Sequence, residues 1–127
     1  IDLSGHTGPF IQYTFVRIKS LLNKSEELKD EFMIEDLKLN SKELEVLKYI
    51  SNFPDVLAQS AKELSPYLLA NYLYTLVKSY NSFYQDHPVI TEKEKDLRIF
   101  RIRMSKLVSV IIEKGMRILG IEMPKRM

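Results

Sequence analysis

The longest periodic segment of the chain runs from Thr91 to Leu119, and its pattern is typical of a long amphipathic helix. Apolar residues recur there at intervals of three and four, which is the repeat of one helix face. Thr91 followed by Glu94 is typical of a capping box at the start, and Gly120 is expected to end the helix. The predicted buried stripe consists of Leu97, Phe100, Met104, Leu107 or Val108, Ile111 and Ile118. Such a stripe must be covered by other elements, which favours a helical bundle.

Four further helices are predicted from the same periodicity and from the residues that interrupt it. The first runs from about Pro9 to Leu22 and has apolar residues on two sides. The second begins after Asn40, where Glu43 completes a capping-box-like pair, and extends to Phe53. The other two each start at a proline, which suits the first turn of a helix. They are predicted over Pro54 to Leu64 and Pro66 to about Tyr84.

Nothing in the sequence suggests a sheet, because strict apolar and polar alternation and an Asn-Gly hairpin turn are both missing. The stretch from Asn23 to Asn40 is acidic and weakly periodic, so we expect a connecting segment with residues 32–34 as a small apolar plug. Gly115 lies close to the apolar stripe and is expected to permit close helix packing. With 127 residues, of which 45% are hydrophobic, the sequence predicts one all-α domain, a single helical bundle of about five helices.

Composition excludes most catalytic chemistry. The chain has no cysteine, and its two histidines, His6 and His87, fall in predicted loops, so a thiolate zinc site, a disulfide framework and a cysteine nucleophile are excluded. No nucleophile elbow, Walker loop or dinucleotide glycine motif is present. The acidic residues between 26 and 36 lack calcium-loop spacing, which favours a solvated linker. We therefore expect no catalytic residue, no metal and no cofactor in this domain, and the charges that interrupt every apolar run argue against a membrane span.

The net charge of +2 is unevenly distributed along the chain. Residues 1–24 carry +2, residues 25–91 carry −5 and residues 92–127 carry +5. On the predicted fifth helix, four basic residues recur on one side and are candidate phosphate contacts: Arg103, Lys106, Lys114 and Arg117. A basic edge of this kind fits a polyanionic partner, and an ordinary solvated surface fits it equally well.

The beginning of the chain combines a helix start with aromatic and basic residues. Phe10, Tyr13 and Arg17 follow Pro9 at spacings that place them on one side of a helix. Two aromatic planes beside a guanidinium suit unpaired nucleobases, because every base has a face that can stack and a phosphate nearby. Burial in the core is the more common explanation of such a stripe, and both interpretations remain open at this stage.

Five stretches together resemble a known family. The segment from His6 to Tyr13, with Arg17, is similar to Thr-Gly-Pro-Tyr-x-Gln-Tyr-x-x-x-Arg. The segments 72–74 and 81–84 are similar to Tyr-Leu and Phe-Tyr landmarks, and Leu97-Arg98 with Arg101-Ile102 resembles an arginine-bearing Asp-Ala-Leu-Arg segment. Residues 115–127 resemble Gly-Leu-x-Leu-Leu-Gly-Ile-x-x-Pro-Glu-Arg-Met. The whole chain, residues 1–127, thus resembles the C-terminal anticodon-binding domain, called DALR, of class I arginyl-tRNA synthetases.

The resemblance implies a function that the composition does not. It implies that the bundle binds the anticodon stem and loop of arginine tRNA, while a catalytic domain upstream in the same chain uses ATP and Mg²⁺ to ligate arginine to the tRNA. It also implies a cytoplasmic parent enzyme, expected to be monomeric, with no membrane partner. The family's anticodon-contacting positions correspond to Phe10, Tyr13, Arg17, Tyr84 and Met127.

Two alternatives stay open on the sequence. Another class I synthetase could carry a similar bundle, since fold alone does not determine function. A helical protein-interaction module could use the same aromatic surface to accept an amphipathic helix.

The chain begins at Ile1 and ends on Met127, from which we expect a piece of a longer polypeptide that includes its natural C-terminus.

Overall fold

The computed structural model describes residues 7–125, and every regular element in that range is an α-helix. The helices are α1 (Thr7–Asn23), α2 (Ser41–Lys62), α3 (Pro66–Asp86) and α4 (Lys95–Ile118). The all-α prediction is confirmed. The predicted number of helices, about five, is wrong by one within the described range.

The difference arises at Pro54, which lies inside α2 and does not end it. A proline removes one helical hydrogen bond and disfavours the helical conformation of the residue before it, which is why the sequence predicts a boundary there. Pro54 itself is exposed, whereas Phe53, Val56 and Leu57 on either side pack against the core. The tertiary packing of these flanking residues outweighs the local preference, as is usual for helices in globular proteins.

The two predicted capping boxes have opposite outcomes. At the start of α2, Asn40 Oδ1 accepts from the Glu43 backbone N–H and Glu43 Oε1 accepts from the Asn40 backbone N–H, both at 2.9 Å. The box at Thr91 is wrong, because α4 begins only at Lys95 and its cap residue, Glu94, makes no side-chain capping bond. Arg101 instead binds the preceding segment, donating to Pro88 O at 2.8 Å and to Glu92 Oε1 at 2.9 Å. These tertiary contacts compete with a helical conformation for residues 88–92.

Like α4, helix α3 contacts each of the other three helices. Tyr80 and Phe83 of this helix are among the largest fully buried side chains. Most of the predicted stripe of α4 is buried or half-buried, with Val108 rather than Leu107 facing the core, but the prediction for Ile118 is wrong because it is 58% exposed in the last turn.

Gly115 lets α3 and α4 approach closely, as predicted. A Cβ placed on Gly115 would lie 2.8 Å from both Cδ atoms of Leu73, which is fully buried on α3. Real Cβ atoms essentially never approach that closely, so either the Leu73 side chain or the helix would have to move.

The connecting segment between α1 and α2 is fastened to α4. Glu27 accepts two hydrogen bonds from Arg98, at 2.6 and 2.8 Å, and the Phe32 ring contacts Phe100 edge to face at 6.3 Å between centroids. The predicted apolar plug is only partly correct, since Phe32 is packed against the core while Met33 and Ile34 are more than half exposed.

Candidate nucleic-acid interface

An open cavity of about 660 Å³ lies between the second half of α1, the end of α3 and the segment that follows α3. Helix α1 contributes Tyr13 and Arg17, Lys24 follows directly after the end of this helix, and helix α3 contributes Tyr84. Residues 87–91 close the third side. The cavity therefore brings together sequence positions that the helical periodicity of α1 alone could not connect.

Arg17 is held between two aromatic rings at this cavity. Its guanidinium carbon lies 5.2 Å from the ring centroid of Tyr13 and 4.9 Å from that of Tyr84. Its Nη1 donates a hydrogen bond of 2.7 Å to Asn81 Oδ1. Tyr13 remains 54% exposed, so part of its ring is open to a ligand even though the arginine covers another part. Cation–π contacts of this kind contribute about 0.5–2 kcal/mol.

The positive charge of Arg17 is not neutralised within the described part of the chain. The ion pairs among residues 7–125 involve Lys42, Arg98 and Arg101, and Arg17 takes part in none of them. No described acidic residue lines the cavity, to which Lys24 adds a second cation. A half-buried cation without a carboxylate partner is an attractive place for an anion to bind.

Phe10 lies apart from the other aromatic candidates. Its ring meets Tyr74 edge to face at 6.0 Å between centroids, beside a separate cavity of about 380 Å³ that Thr7 and Lys78 also line. The structure thus brings Tyr13, Arg17 and Tyr84 together at one cavity. Phe10 lies at a neighbouring contact between α1 and α3. Met127 lies outside the described residues.

The four basic candidates on α4 are of two kinds. Arg103 is occupied inside the protein, because its Nε donates to Leu28 O at 3.0 Å, its Nη2 donates to Asp30 O, and its guanidinium lies over the Phe32 ring. Lys114 and Arg117 are exposed and Lys106 is half-buried; the side chains of these three make no hydrogen bond or ion pair among residues 7–125. Arg103 thus fastens the connecting segment, whereas the other three remain accessible.

Sequence reasoning missed Asn81 as part of the site. Asn81 precedes Tyr84 by three residues on α3, a spacing that places both on one side of the helix and could have suggested it. Its partner on α1 could not be deduced in the same way, because pairing between helices depends on the whole bundle. His87, which also lines the cavity, stacks its ring on Phe83 with 5.8 Å between centroids.

Tyr84 rests on a buried and neutral support. Its ring stacks on Tyr80 at 6.0 Å with an angle of 27° between the planes. Burial raises the pKa of Tyr80 well above its ordinary value, and the hydroxyl shares a hydrogen bond of 2.7 Å with Ser105 Oγ. Tyr80 therefore keeps its proton at neutral pH and adds no negative charge behind the cavity.

Residues 7–125 contain no group of three or more histidine, aspartate or glutamate side chains arranged to hold a metal ion. No helix in this range has the length and apolar character that crossing a membrane requires.

The described residues form a helical bundle in which an arginine lies between two tyrosines, and none of the acidic residues among 7–125 pairs with that arginine or lines its cavity. These are features of a nucleic-acid-binding module. The family is shown by the sequence match. The chain belongs to the DALR anticodon-binding domain family, whose model matches residues 11–127.

Relatives and solved structures agree with this family. The chain is 44% identical over 127 residues to arginine–tRNA ligase of Flavobacterium psychrophilum and 41% identical over 130 residues to that of Porphyromonas gingivalis. Among solved structures it is similar to Thermus thermophilus arginyl-tRNA synthetase, with a TM-score of 0.82 and 28% identity over 99% of this chain and 22% of that one. The chain spans 21–22% of the length of these curated relatives.

Proposed function

We propose that this chain binds the anticodon stem-loop of arginine tRNA, as the anticodon-binding domain of an arginyl-tRNA synthetase. The observation that carries the proposal is the unneutralised Arg17 between Tyr13 and Tyr84 at an open cavity. The family match and the arginine–tRNA ligases that align with the entire chain support the identity of the RNA.

In the proposed complex, Arg17 holds a backbone phosphate and the exposed part of Tyr13 stacks on an unpaired base. Stacking contributes roughly 1–3 kcal/mol per base, and phosphate contacts position the loop without reading its sequence. Tyr84 forms the other wall of the arginine site. Phe10, one helical turn before Tyr13, is a second stacking position, and Met127 remains a candidate contact from the resemblance alone.

The basic side of α4 is a further candidate for phosphate binding. Lys106, Lys114 and Arg117 are proposed to contact the RNA backbone, because their side chains make no hydrogen bond or ion pair in the described part of the chain. Arg103 is the weakest of the four candidates, since its donors already serve Leu28 O and Asp30 O.

The activity of the larger enzyme is proposed from the relatives. Residues 1–127 would be one domain joined in cis to a catalytic domain, which would use ATP and Mg²⁺ to ligate arginine to tRNA in the cytoplasm, as a monomer. No residue of this chain is assigned a catalytic role.

The test is a titration of the chain with the anticodon stem-loop of arginine tRNA beside a hairpin of scrambled loop sequence, at two salt concentrations. Tighter binding of the cognate loop, weakening as salt increases, is the expected result. Equal binding of both loops by the folded chain would contradict anticodon recognition. No binding of either would direct attention to a protein partner of the same aromatic surface.

A further inference from the structure

Four groups form one continuous chain of hydrogen bonds between α1 and α3, and it ends at the cavity. Arg17 Nη1 donates to Asn81 Oδ1 at 2.7 Å, and Asn81 Nδ2 donates to Thr14 Oγ1 at 2.8 Å. The Thr14 hydroxyl in turn donates to the Phe10 carbonyl oxygen at 3.1 Å. Asn81 Nδ2 also donates to Val77 O at 3.0 Å.

The direction of every bond in this chain is determined by its two ends. A guanidinium can only donate, and a backbone carbonyl oxygen can only accept. The Thr14 proton is therefore directed to Phe10 O, which leaves the hydroxyl oxygen as an acceptor for the Asn81 amide nitrogen. Because that nitrogen serves both Thr14 and Val77, the Asn81 oxygen must face Arg17. A flipped amide would bring its NH₂ group against a guanidinium that cannot accept a hydrogen bond.

The buried end of the chain makes this arrangement rigid. Thr14 is fully buried, and Asn81 is half-buried on the face of α3 that packs on α1. Arginine by contrast has many side-chain rotamers, and ordering it costs about 1.5–2 kcal/mol of conformational entropy. A fixed acceptor at Nη1 restricts the planar guanidinium to one orientation between the two tyrosine rings.

We infer that Asn81 is a positioning residue, which acts through Arg17 and is itself oriented by Thr14. With Nη1 held by Asn81, the Nε and Nη2 donors make no hydrogen bond to any residue in the range 7–125 and are available for the oxygens of a phosphate group. Two parallel N–H donors match a phosphate in a bidentate manner. The inference rests on the proposed RNA function only for the identity of the phosphate; the orientation of Arg17 by Asn81 does not depend on it.

The first measurement follows the Arg17 guanidinium in the absence of RNA. In ¹⁵N spectra of the folded chain, rotation about the Cζ–Nη bonds of Arg17 is expected to be slow in the wild type and in S82A, and clearly faster in N81A. T14V, which removes the acceptor hydroxyl, is expected to have a smaller effect in the same direction, and T14S to resemble the wild type. Equal rotation rates in N81A and the wild type would overturn the inference.

The second measurement is a double-mutant cycle between Asn81 and Arg17, in which affinity for the anticodon hairpin is measured. N81A is expected to weaken binding by roughly two- to tenfold, the cost of ordering one flexible side chain on binding. It is expected to have no further effect in the R17A background, and to retain the salt dependence of the wild type because the charge of Arg17 is intact. An equal loss in both backgrounds would show that Asn81 does not act through Arg17.

The two measurements separate the two proposals. If the wild-type chain binds no hairpin while Arg17 still rotates faster in N81A, the RNA function is wrong and the positioning role of Asn81 stands. If the hairpin binds but N81A leaves both the rotation and the affinity unchanged, the RNA function stands and the role of Asn81 is wrong.

Discussion

The guanidinium carbon of Arg17 lies 4.9 Å from the ring centroid of Tyr84, a contact that joins α1 to the end of α3. Together with Tyr13 at 5.2 Å, it places a cation between two aromatic rings. The rings stabilise the charge without neutralising it, since a tyrosine face attracts a cation through its quadrupole and carries no net charge. This combination keeps the arginine ordered and still attractive to an anion.

Replacing Arg17 tests the role of that charge. R17A is expected to weaken hairpin binding and to reduce the slope of log affinity against log salt by about one, the effect of one lost phosphate contact. R17K keeps the charge but not the planar fork, so it should retain most of the slope while losing affinity. The measurement is fluorescence anisotropy over a salt series, with K48A on the exposed surface of α2 as the control. An unchanged slope in R17A would contradict phosphate binding by this residue.

Arg103 and Arg117 both lie on α4, but we expect Arg103 to contribute to stability and Arg117 to contribute to RNA binding. R103A removes the donors to Leu28 O and Asp30 O and should lower the free energy of unfolding by about 1–2 kcal/mol. R117A should leave stability within about 0.5 kcal/mol of the wild type, because the residue is exposed, and should weaken RNA binding. Urea unfolding and hairpin titration of both variants check the assignment, which fails if their effects are reversed.

The buried ion pair between Glu43 and Arg101 is expected to be sensitive to loss of one partner. Glu43 is fully buried, and its Oε2 accepts a 2.8 Å hydrogen bond from Arg101 Nε. E43Q removes one of the two carboxylates that compensate the buried guanidinium and leaves Glu92 Oε1 at 2.9 Å, so the free energy of unfolding should fall by about 2 kcal/mol. E45Q on the exposed side of the same helix is the matched control in urea unfolding. Equal stability of the two variants would contradict this account.

Gly115 is expected to be intolerant of a methyl group. Alanine favours a helix interior by about 1 kcal/mol over glycine, but overpacking a core costs about 1–3 kcal/mol. Because Leu73 Cδ1 and Cδ2 would lie only 2.8 Å from the new Cβ, G115A should be destabilising by about 1 kcal/mol. Combining G115A with L73V should cost less than the sum of the single changes in thermal unfolding. Strict additivity would show that the two side chains do not compete for space.

Acid should weaken the attachment of the connecting segment to α4. The hydrogen bonds and charge of Arg98 lower the pKa of Glu27 below its ordinary value of 4.5. At a pH between the lowered pKa and 4.5, the unfolded chain therefore binds more protons than the folded chain. The contribution of Glu27 to stability is complete above about pH 4.5 and is lost as the pH falls through the lowered pKa. E27Q should flatten this part of the stability profile between pH 5 and 3, while E26Q should not. Parallel acid profiles for E27Q and the wild type would contradict the prediction.

Local sequence patterns were sufficient for much of the fold. Apolar periodicity located all four helices of residues 7–125, although it divided α2 into two. The Asn40 and Glu43 pair marked the start of α2, and Gly115 marked the close contact between α3 and α4. These predictions are correct because each depends on residues within one or two turns of helix. The break predicted at Pro54 failed for the complementary reason, since packing of distant residues onto α2 outweighs a local preference.

The sequence by itself determined an all-α chain without cysteine chemistry, and it placed Tyr13 and Arg17 on one side of a helix. Only the tertiary structure decided that Tyr84 and Asn81 contact Arg17, that Phe10 lies at a separate cavity and that Arg103 binds backbone carbonyls. Helical periodicity specifies which residues share a face. Which faces meet depends on the simultaneous burial of all four helices, a property that no single segment contains.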